Sequence, residues 1–374
     1  MKCCAMKNLL FSVFFLMISS ALWAFQPEMK TITLNDGEKV LTRLCLPEGP
    51  VKTIVFAIHG TGPNTYLNKR SGFNFYDVMA EGFCSQGVAF FSYNRRGVEV
   101  GDTAPRFDRI DSAKYAKYSP STEAEDVERM VHVLKKDKRF KDCRIILYGM
   151  SEGTIIASMV AERKKVKVDA LFLHGYANEN MYDIIRWQNS GEGILIMVNS
   201  IFDKDGDKSV SREEYESSDK VVAAYRKYLF QDLPFDTVDI VKDGRIDIKD
   251  IAPARLAFHD TLMQHITAKD DAWISNHYFR ITTAWCRECF ALEANKTRLV
   301  RVNIPIHIFH GTTDAHVPIE GVYDLASRFK VCGKDNLTLH IFENHNHDLN
   351  FQDWLTQKKY SAGLKELFEC AGKY

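Results

Sequence analysis

The chain has 374 residues, with 49 basic and 49 acidic side chains, and 45% of its residues are hydrophobic. That is ample apolar material for one large core. A charge so evenly balanced argues against nucleic acid as a partner and says little about substrate charge.

The N-terminus places Lys2 and Lys7 before the apolar run Leu9–Ala21, followed by small residues with Ala24 as a cleavage position. This is the layout of an export signal, so a periplasmic or secreted protein is expected. The run is short for a membrane span and no later segment reaches its length, so the mature chain is expected to have no span. An uncleaved anchor is the rival reading, because Trp23 and Phe25 prolong the apolar stretch. Removing residues 1–24 leaves 47 basic against 49 acidic side chains.

Two strand-like runs follow, Lys30–Leu34 and Val40–Leu46, joined by Asn35-Asp36-Gly37-Glu38, which predicts a hairpin and an antiparallel start to the sheet. Thr53–Ile58 is a third strand and ends in His59-Gly60-Thr61-Gly62. A helix is predicted over Phe75–Cys84, a strand over Val88–Tyr93 and a helix over Thr122–Lys136. Arg95 and Arg96 are expected to hold the loop Val98–Ser119 through ion pairs, with a substrate carboxylate as their other possible partner. The strand Arg144–Tyr148 then runs into Gly149-Met150-Ser151-Glu152-Gly153 and the helix Thr154–Lys164. Glycines two residues to either side of a serine allow a tight strand-to-helix corner that pushes the hydroxyl outward. The start of the helix offers free N–H groups where negative charge would develop.

After the strand Ala170–His174 comes a mostly helical stretch of about 125 residues, too long for a connection. It leaves the sheet at the edge where ligands of open α/β sheets bind, which makes residues 176–300 a cap over Ser151. Within it, Asp203, Asp205, Asp207 and Glu214 occupy positions 1, 3, 5 and 12 of a loop with Ser209 as a backbone ligand, Ser211 in the ninth place and Val210 as an apolar anchor. A second loop carries Asp239, Asp243, Asp247 and Asp250 at positions 1, 5, 9 and 12, Gly244 at the turn, Arg245 as the backbone ligand and Ile246 as anchor. Both loops, 203–214 and 239–250, resemble EF-hand calcium loops, whose hard oxygen ligands curl around the ion. The resemblance implies a structural Ca²⁺ that rigidifies the cap, with the two loops joined through strands at Val210 and Ile246. Two flaws stand out: Lys208 sits at the turn position that favours glycine, and Val241 replaces a carboxylate. Cys286-Arg287-Glu288-Cys289 is expected to form a local disulfide rather than a zinc or redox site, and Cys332 with Cys370 is a second candidate bridge.

The strand Ile304–His310 ends in Gly311-Thr312-Thr313-Asp314, and the helix Ile319–Phe329 follows. The strand Leu337–Phe342 ends in Glu343-Asn344-His345-Asn346-His347-Asp348, and one helix is predicted over Phe351–Cys370. Serine, acid and histidine thus each fall just beyond a strand, in the order Ser, Asp, His.

On His59-Gly60, Arg96-Gly97, the serine elbow, His310-Gly311-Thr312-Thr313-Asp314 and His347-Asp348, the chain resembles the α/β-hydrolase superfamily, on the side of its esterases and prolyl-oligopeptidase-like peptidases. The resemblance covers residues 27–175 and 301–374. It implies a mainly parallel eight-stranded sheet with helices on both faces and the helical cap inserted. It also implies Ser151 as nucleophile, His347 as base in preference to His345, and Asp314 as orienting acid in preference to Asp348. The amides of Glu152 and Thr61 would form the oxyanion hole, and His310 and His340 are expected to be packed core residues. The expected activity is an exported serine hydrolase acting on small carboxylic esters or short peptides. It needs no organic cofactor, and protein partners are left open. A calcium-binding interaction protein on an inactive hydrolase scaffold is the alternative.

Overall fold

The computed structural model describes residues 25–374, so the export-signal reading of residues 1–24 lies outside the described residues. Eight strands form one sheet: β1 (Gln26–Thr33), β2 (Lys39–Leu46), β3 (Thr53–Ile58), β4 (Ala89–Tyr93), β5 (Arg144–Met150), β6 (Ala170–His174), β7 (Ile306–Gly311) and β8 (Leu337–Phe342). Their spatial order is β1-β2-β4-β3-β5-β6-β7-β8. The pairs β1/β2 and β2/β4 are antiparallel and all others are parallel. This is the α/β-hydrolase arrangement that the sequence predicts.

The central strands are near-continuous apolar runs because both faces are covered. Side chains alternate between two cores. Ile54, Phe56 and Ile58 of β3 join Ile145 and Leu147 of β5 and Leu171 and Leu173 of β6 on one face. Val55, Ala57, Ile146, Tyr148 and Phe172 point to the other. The helices α1 (Phe75–Cys84), α2 (Pro120–Lys135) and α3 (Glu152–Arg163) precede β6. Packed on the second face, α1 contributes Met79 and Phe83, whereas α2 and α3 cover the first with Val127, Met130, Ile155 and Ile156.

Between β6 and β7 the chain is helical: α4 (Met181–Gln188), α5 (Glu192–Phe202), α6 (Lys220–Phe230), α7 (Ile248–Thr267) and α8 (Thr283–Ala291), with shorter turns between them. Trp285, Leu262 and Ile274 extend the first core into this segment. Phe202, Val210, Tyr215, Val222, Phe235, Ile246 and Ile251 make a third core of their own. Val210 pairs with Ile246 in a two-stranded antiparallel ribbon, the expected link between the two acidic loops.

After β7 come α9 (Glu320–Val331), α10 (Gln352–Gln357) and α11 (Ala362–Gly372). The single helix expected over 351–370 is therefore two. Lys358 turns left-handed at φ 54°, and Ser361 caps the next helix by accepting from the Leu364 amide at 3.2 Å. The expected disulfides are absent among the described residues: Cys286, Cys289, Cys332 and Cys370 are free thiols. Cys286 and Cys289 lie one turn apart on α8, where side chains are held roughly 5–6 Å apart at Cβ, beyond disulfide reach. No described helix is long and apolar enough to cross a membrane.

Candidate active site

The elbow is a steric construction. Ser151 sits between β5 and α3 at φ 53°, ψ −120°, an unusual conformation for a residue with a Cβ. A Cβ on Gly149 would overlap the Gly153 carbonyl, and one on Gly153 would overlap the Ile58 carbonyl, so both glycines are required for the corner to close on β3. The Ser151 amide donates to His174 O at 2.9 Å, and its carbonyl accepts from Thr154 N at 2.9 Å and Thr154 Oγ1 at 2.7 Å. These bonds fix the backbone. The hydroxyl has no hydrogen-bond partner among the described residues and borders a pocket together with the His347 ring.

Asp314 and His347 are brought together as the resemblance implies. Asp314 Oδ1 accepts from the amides of His316 (2.8 Å) and Val317 (3.0 Å), while Oδ2 accepts from His347 Nδ1 at 2.8 Å. Burial would raise the Asp314 pKa, but His347 and these donors hold it well below the carboxylate range. Burial likewise works against charge on His347, yet the facing Asp314 outweighs it and pushes the imidazole up to about 9. Nδ1–H is committed to the carboxylate, which leaves Nε2 as the basic nitrogen. His345 instead turns Nδ1 toward its neighbour's carbonyl, Glu343 O, and takes no part. His310, buried as expected, accepts from Tyr176 N through Nδ1 and donates from Nε2 to Val317 O, bracing the Asp314 turn.

Glu152 opens α3, so its amide is one of the helix donors with no intrahelical partner. Its carboxylate is buried and accepts from Tyr118 Oη (2.6 Å) and Trp285 Nε1 (2.8 Å), tying α8 to the elbow. Burial raises its pKa. Thr61 borders the same pocket as Ser151. The preceding carbonyl, Gly60 O, accepts from Arg95 Nη1 (3.0 Å) and Asn64 Nδ2 (3.1 Å). In a trans peptide the next N–H points the opposite way, so the Thr61 amide faces away from Arg95.

Arg95 and Arg96 depart from expectation. Arg95 Nε pairs with Glu123 at 2.9 Å, and Arg95 also binds Gly62 O and covers the Tyr118 ring at 3.9 Å. Arg96 pairs with Asp126 (2.7 Å) and Asp36 (2.9 Å). Their ion partners lie on α2 and in the β1–β2 turn, not in the loop 98–119. Both are buried, which removes them as substrate ligands.

Two residues escaped the sequence reading. A Cβ on Gly175, at φ 59°, would lie 2.6 Å from His347 Cε1 and 2.8 Å from Nδ1, so only glycine leaves room for the ring. His174 is buried behind the serine, bonded to Tyr148 Oη at 2.7 Å through Nδ1, with Nε2 unpartnered. A glycine directly after a strand end is the one sequence signal that could have marked the first.

The pocket at Ser151 holds about 180 Å³ and is walled by Ala177, Met181, Ile184, Tyr278, Phe279, Trp285 and Val317. A more polar cavity of about 570 Å³ adjoins it past His316 and His347, with Thr313, Asn344, Asn346 and Asn350 on its wall. A larger cavity of about 730 Å³ lies along β2 and residues 97–114 and touches none of Ser151, Asp314 and His347.

The acidic loops divide. Oxygens of Asp203, Asp205 and Glu214 lie within 4.8 Å of one another. Asp207 and Ser209 are instead engaged by the Arg245 side chain, the latter at 2.6 Å, and Ser211 bonds Glu214. Lys208 adopts φ 68°, the left-handed turn its position demands. In the second loop, Lys249 Nζ bridges Asp243 (3.5 Å) and Asp247 (3.4 Å), and Asp250 accepts from the amides of Ile240 and Asp247. Asp239 keeps one buried oxygen without a partner. The structure gathers three carboxylates of the first loop, Asp203, Asp205 and Glu214, and makes no such group of the second.

A sequence model of the family described as serine aminopeptidase, S33, matches residues 49–353. Among solved structures, a lipase in its open form is 17% identical, with a TM-score of 0.53, over 93% of this chain and 98% of that one. A thermostable carboxyl esterase from Bacillus coagulans, bound to glycerol, is 16% identical, with the same TM-score and the same coverage. No curated protein matches the chain. At such identities the structural likeness speaks to the fold.

Because Gly175 sets the seat of His347, Gly175→Ala should lower kcat by about a hundredfold with little change in KM, the scale of a 1 Å misplacement. Steady-state kinetics with a melting curve alongside checks this; an unaltered kcat would show that the ring does not need that space.

Proposed function

The chain belongs to the S33 serine aminopeptidase family of α/β-hydrolases and is a serine hydrolase; from that premise we propose that it cleaves carboxylic esters with short acyl groups through Ser151, His347 and Asp314. The observation that carries this reading is the Asp314–His347 hydrogen bond at 2.8 Å beside a serine on a strained elbow, with the serine and the imidazole both on the wall of a small apolar pocket. Substrate entry brings the Ser151 hydroxyl onto His347 Nε2; catalytic hydrogen bonds are often open before substrate arrives. The serine oxygen attacks the carbonyl carbon as its proton passes to Nε2, and the amides of Glu152 and Thr61 receive the oxyanion. Collapse expels the alcohol, which takes the proton from His347. Water then repeats the sequence on the acyl-enzyme and restores the serine.

An ester is favoured over a peptide with a free amino end. The one carboxylate on the pocket wall, Glu152, is already bonded to Tyr118 and Trp285, which leaves it poorly placed to receive an ammonium group. A volume of about 180 Å³ suits an acyl chain of a few carbons. The reading includes residues 1–24 as an export signal and residues 176–300 as the cap that walls the acyl pocket. It also includes a structural Ca²⁺ held by Asp203, Asp205 and Glu214, hard oxygens closing one cage.

A fluorophosphonate should label the full protein at Ser151 and leave Ser151→Ala unmodified. p-Nitrophenyl butyrate should be turned over well ahead of the palmitate. A folded wild-type protein that never labels would overturn the mechanism, and a preference for aminoacyl-nitroanilides would overturn the ester assignment.

His347 acts as a base only when neutral, so kcat/KM should rise about tenfold per pH unit and level off near pH 9. In Asp314→Asn the charge that raises the ring's pKa is gone while burial still lowers it. The rising limb should then move below the ordinary histidine value, as kcat falls by about 10⁴.

Adding Ca²⁺ to chelator-treated protein should raise its stability by about 2.7 kcal/mol at a hundredfold excess over the dissociation constant. Asp203→Ala should abolish that gain and Asp239→Ala should keep it. Scanning calorimetry decides, and a wild-type curve indifferent to Ca²⁺ would dismiss the ion.

A further inference from the structure

A second cluster of chemically capable side chains lies at the opposite end of β7 from Asp314. His307 near the start of β7, His340 on β8 and Cys370 on α11 point one ligand atom each into the same space, all within 4.8 Å of one another. His307 Nδ1 is 3.0 Å from His340 Nε2 and 3.5 Å from Cys370 Sγ. From sequence, His340 is expected to be a packed core residue and Cys370 half of a disulfide. We propose that these three side chains form a binding site for a borderline-soft divalent cation of the zinc class, which staples α11 to the β7–β8 edge of the sheet.

The distances fit. A tetrahedral zinc ion with nitrogen ligands at 2.0–2.1 Å and a thiolate at 2.3 Å sets its nitrogens roughly 3.3 Å apart and nitrogen from sulfur roughly 3.6 Å. The outward side of each ring carries the partner that metal-bound imidazoles require. His340 Nδ1 lies 3.4 Å from Glu366 Oε1, and His307 Nε2 lies 2.9 Å from Tyr374 Oη. With those outer nitrogens protonated, the inner two present lone pairs. Stacking fixes the rings, with His340 against Phe309 at 4.4 Å and 6°, and His307 beside Phe172 at 5.0 Å.

Hydrogen bonding alone leaves this cluster mismatched when both rings are neutral. If His307 Nδ1 carries a proton for His340, the Cys370 thiol meets an N–H and no acceptor. If His307 Nδ1 is the acceptor, His340 must give up the proton that faces Glu366. One cation at the centre satisfies all three atoms together. The thiol loses its proton to solvent as the metal–sulfur bond forms. Two nitrogens and one thiolate favour zinc-class ions over Ca²⁺ and Mg²⁺. Three protein ligands leave a fourth position for water, and the partly exposed Glu366 marks a side open to solvent.

Cobalt is the probe, because a thiolate bound to Co²⁺ gives a near-ultraviolet charge-transfer band that carboxylate loops cannot produce. The full chain, stripped with chelator and titrated with Co²⁺, should develop that band to one equivalent, and Zn²⁺ should displace it. Cys370→Ser should lose the band, Cys332→Ser should keep it, and Glu366→Gln should weaken binding by about 10- to 100-fold. Absence of the band from folded wild-type protein, or its survival in Cys370→Ser, would overturn the site. The wild-type titration is decisive even if a variant fails to fold, and it is independent of the hydrolytic activity.

Discussion

One buried positive charge organises this molecule. Arg95 has essentially no contact with water, and an ion in that position is tolerable only when its donors and its ring face are all occupied. Glu123 takes two of its nitrogens, the carbonyls of Gly60 and Gly62 take the third, and Tyr118 lies under the guanidinium plane. Tyr118 then holds Glu152, and Glu152 holds Trp285 of the inserted helices. The loop after β3, helix α2, the elbow and the insertion are thereby registered against one cation. The orientation of a single peptide, that between Gly60 and Thr61, is set by the same cation.

Much of the fold can be read along the chain because each strand announces itself twice, as an apolar run and as a glycine or polar turn at its end. The proposed nucleophile, acid and base were legible for the same reason, since each follows a strand and the order is informative. What escaped depends on convergence in space. Nothing in the order of residues 93–97 shows that Arg95 will find Glu123 on α2 and two carbonyls behind the serine. Gly175 looks like an ordinary turn residue until the imidazole of His347 occupies the space beside it.

The two misread segments near the C-terminal half have local causes. Apolar positions such as Leu355, Leu364 and Phe368 continue across the gap between α10 and α11, so hydrophobic spacing alone runs the two helices together. Ser361, a capping residue, was the available sign of the break. Cys286 and Cys289 look like a pair on paper, but a helix sets them one turn apart. The acidic loops show the converse. Spacing alone treats them as equals, while Arg245 reaching across the ribbon and Lys249 bridging two carboxylates make them unequal.

The insertion between β6 and β7 also governs how the protein is made. Leu171 pairs with Ile306 as parallel neighbours, so the strands that complete the sheet come from opposite sides of a long helical excursion. Closing such a loop costs entropy before any contact rewards it, and topologies of this kind assemble slowly. Residues up to β6 supply Ser151, while Asp314 and His347 arrive only with the last stretch of translated chain. On the proposed mechanism an incomplete polypeptide therefore carries a serine without its base, and the ability to break bonds emerges at the final stage of assembly.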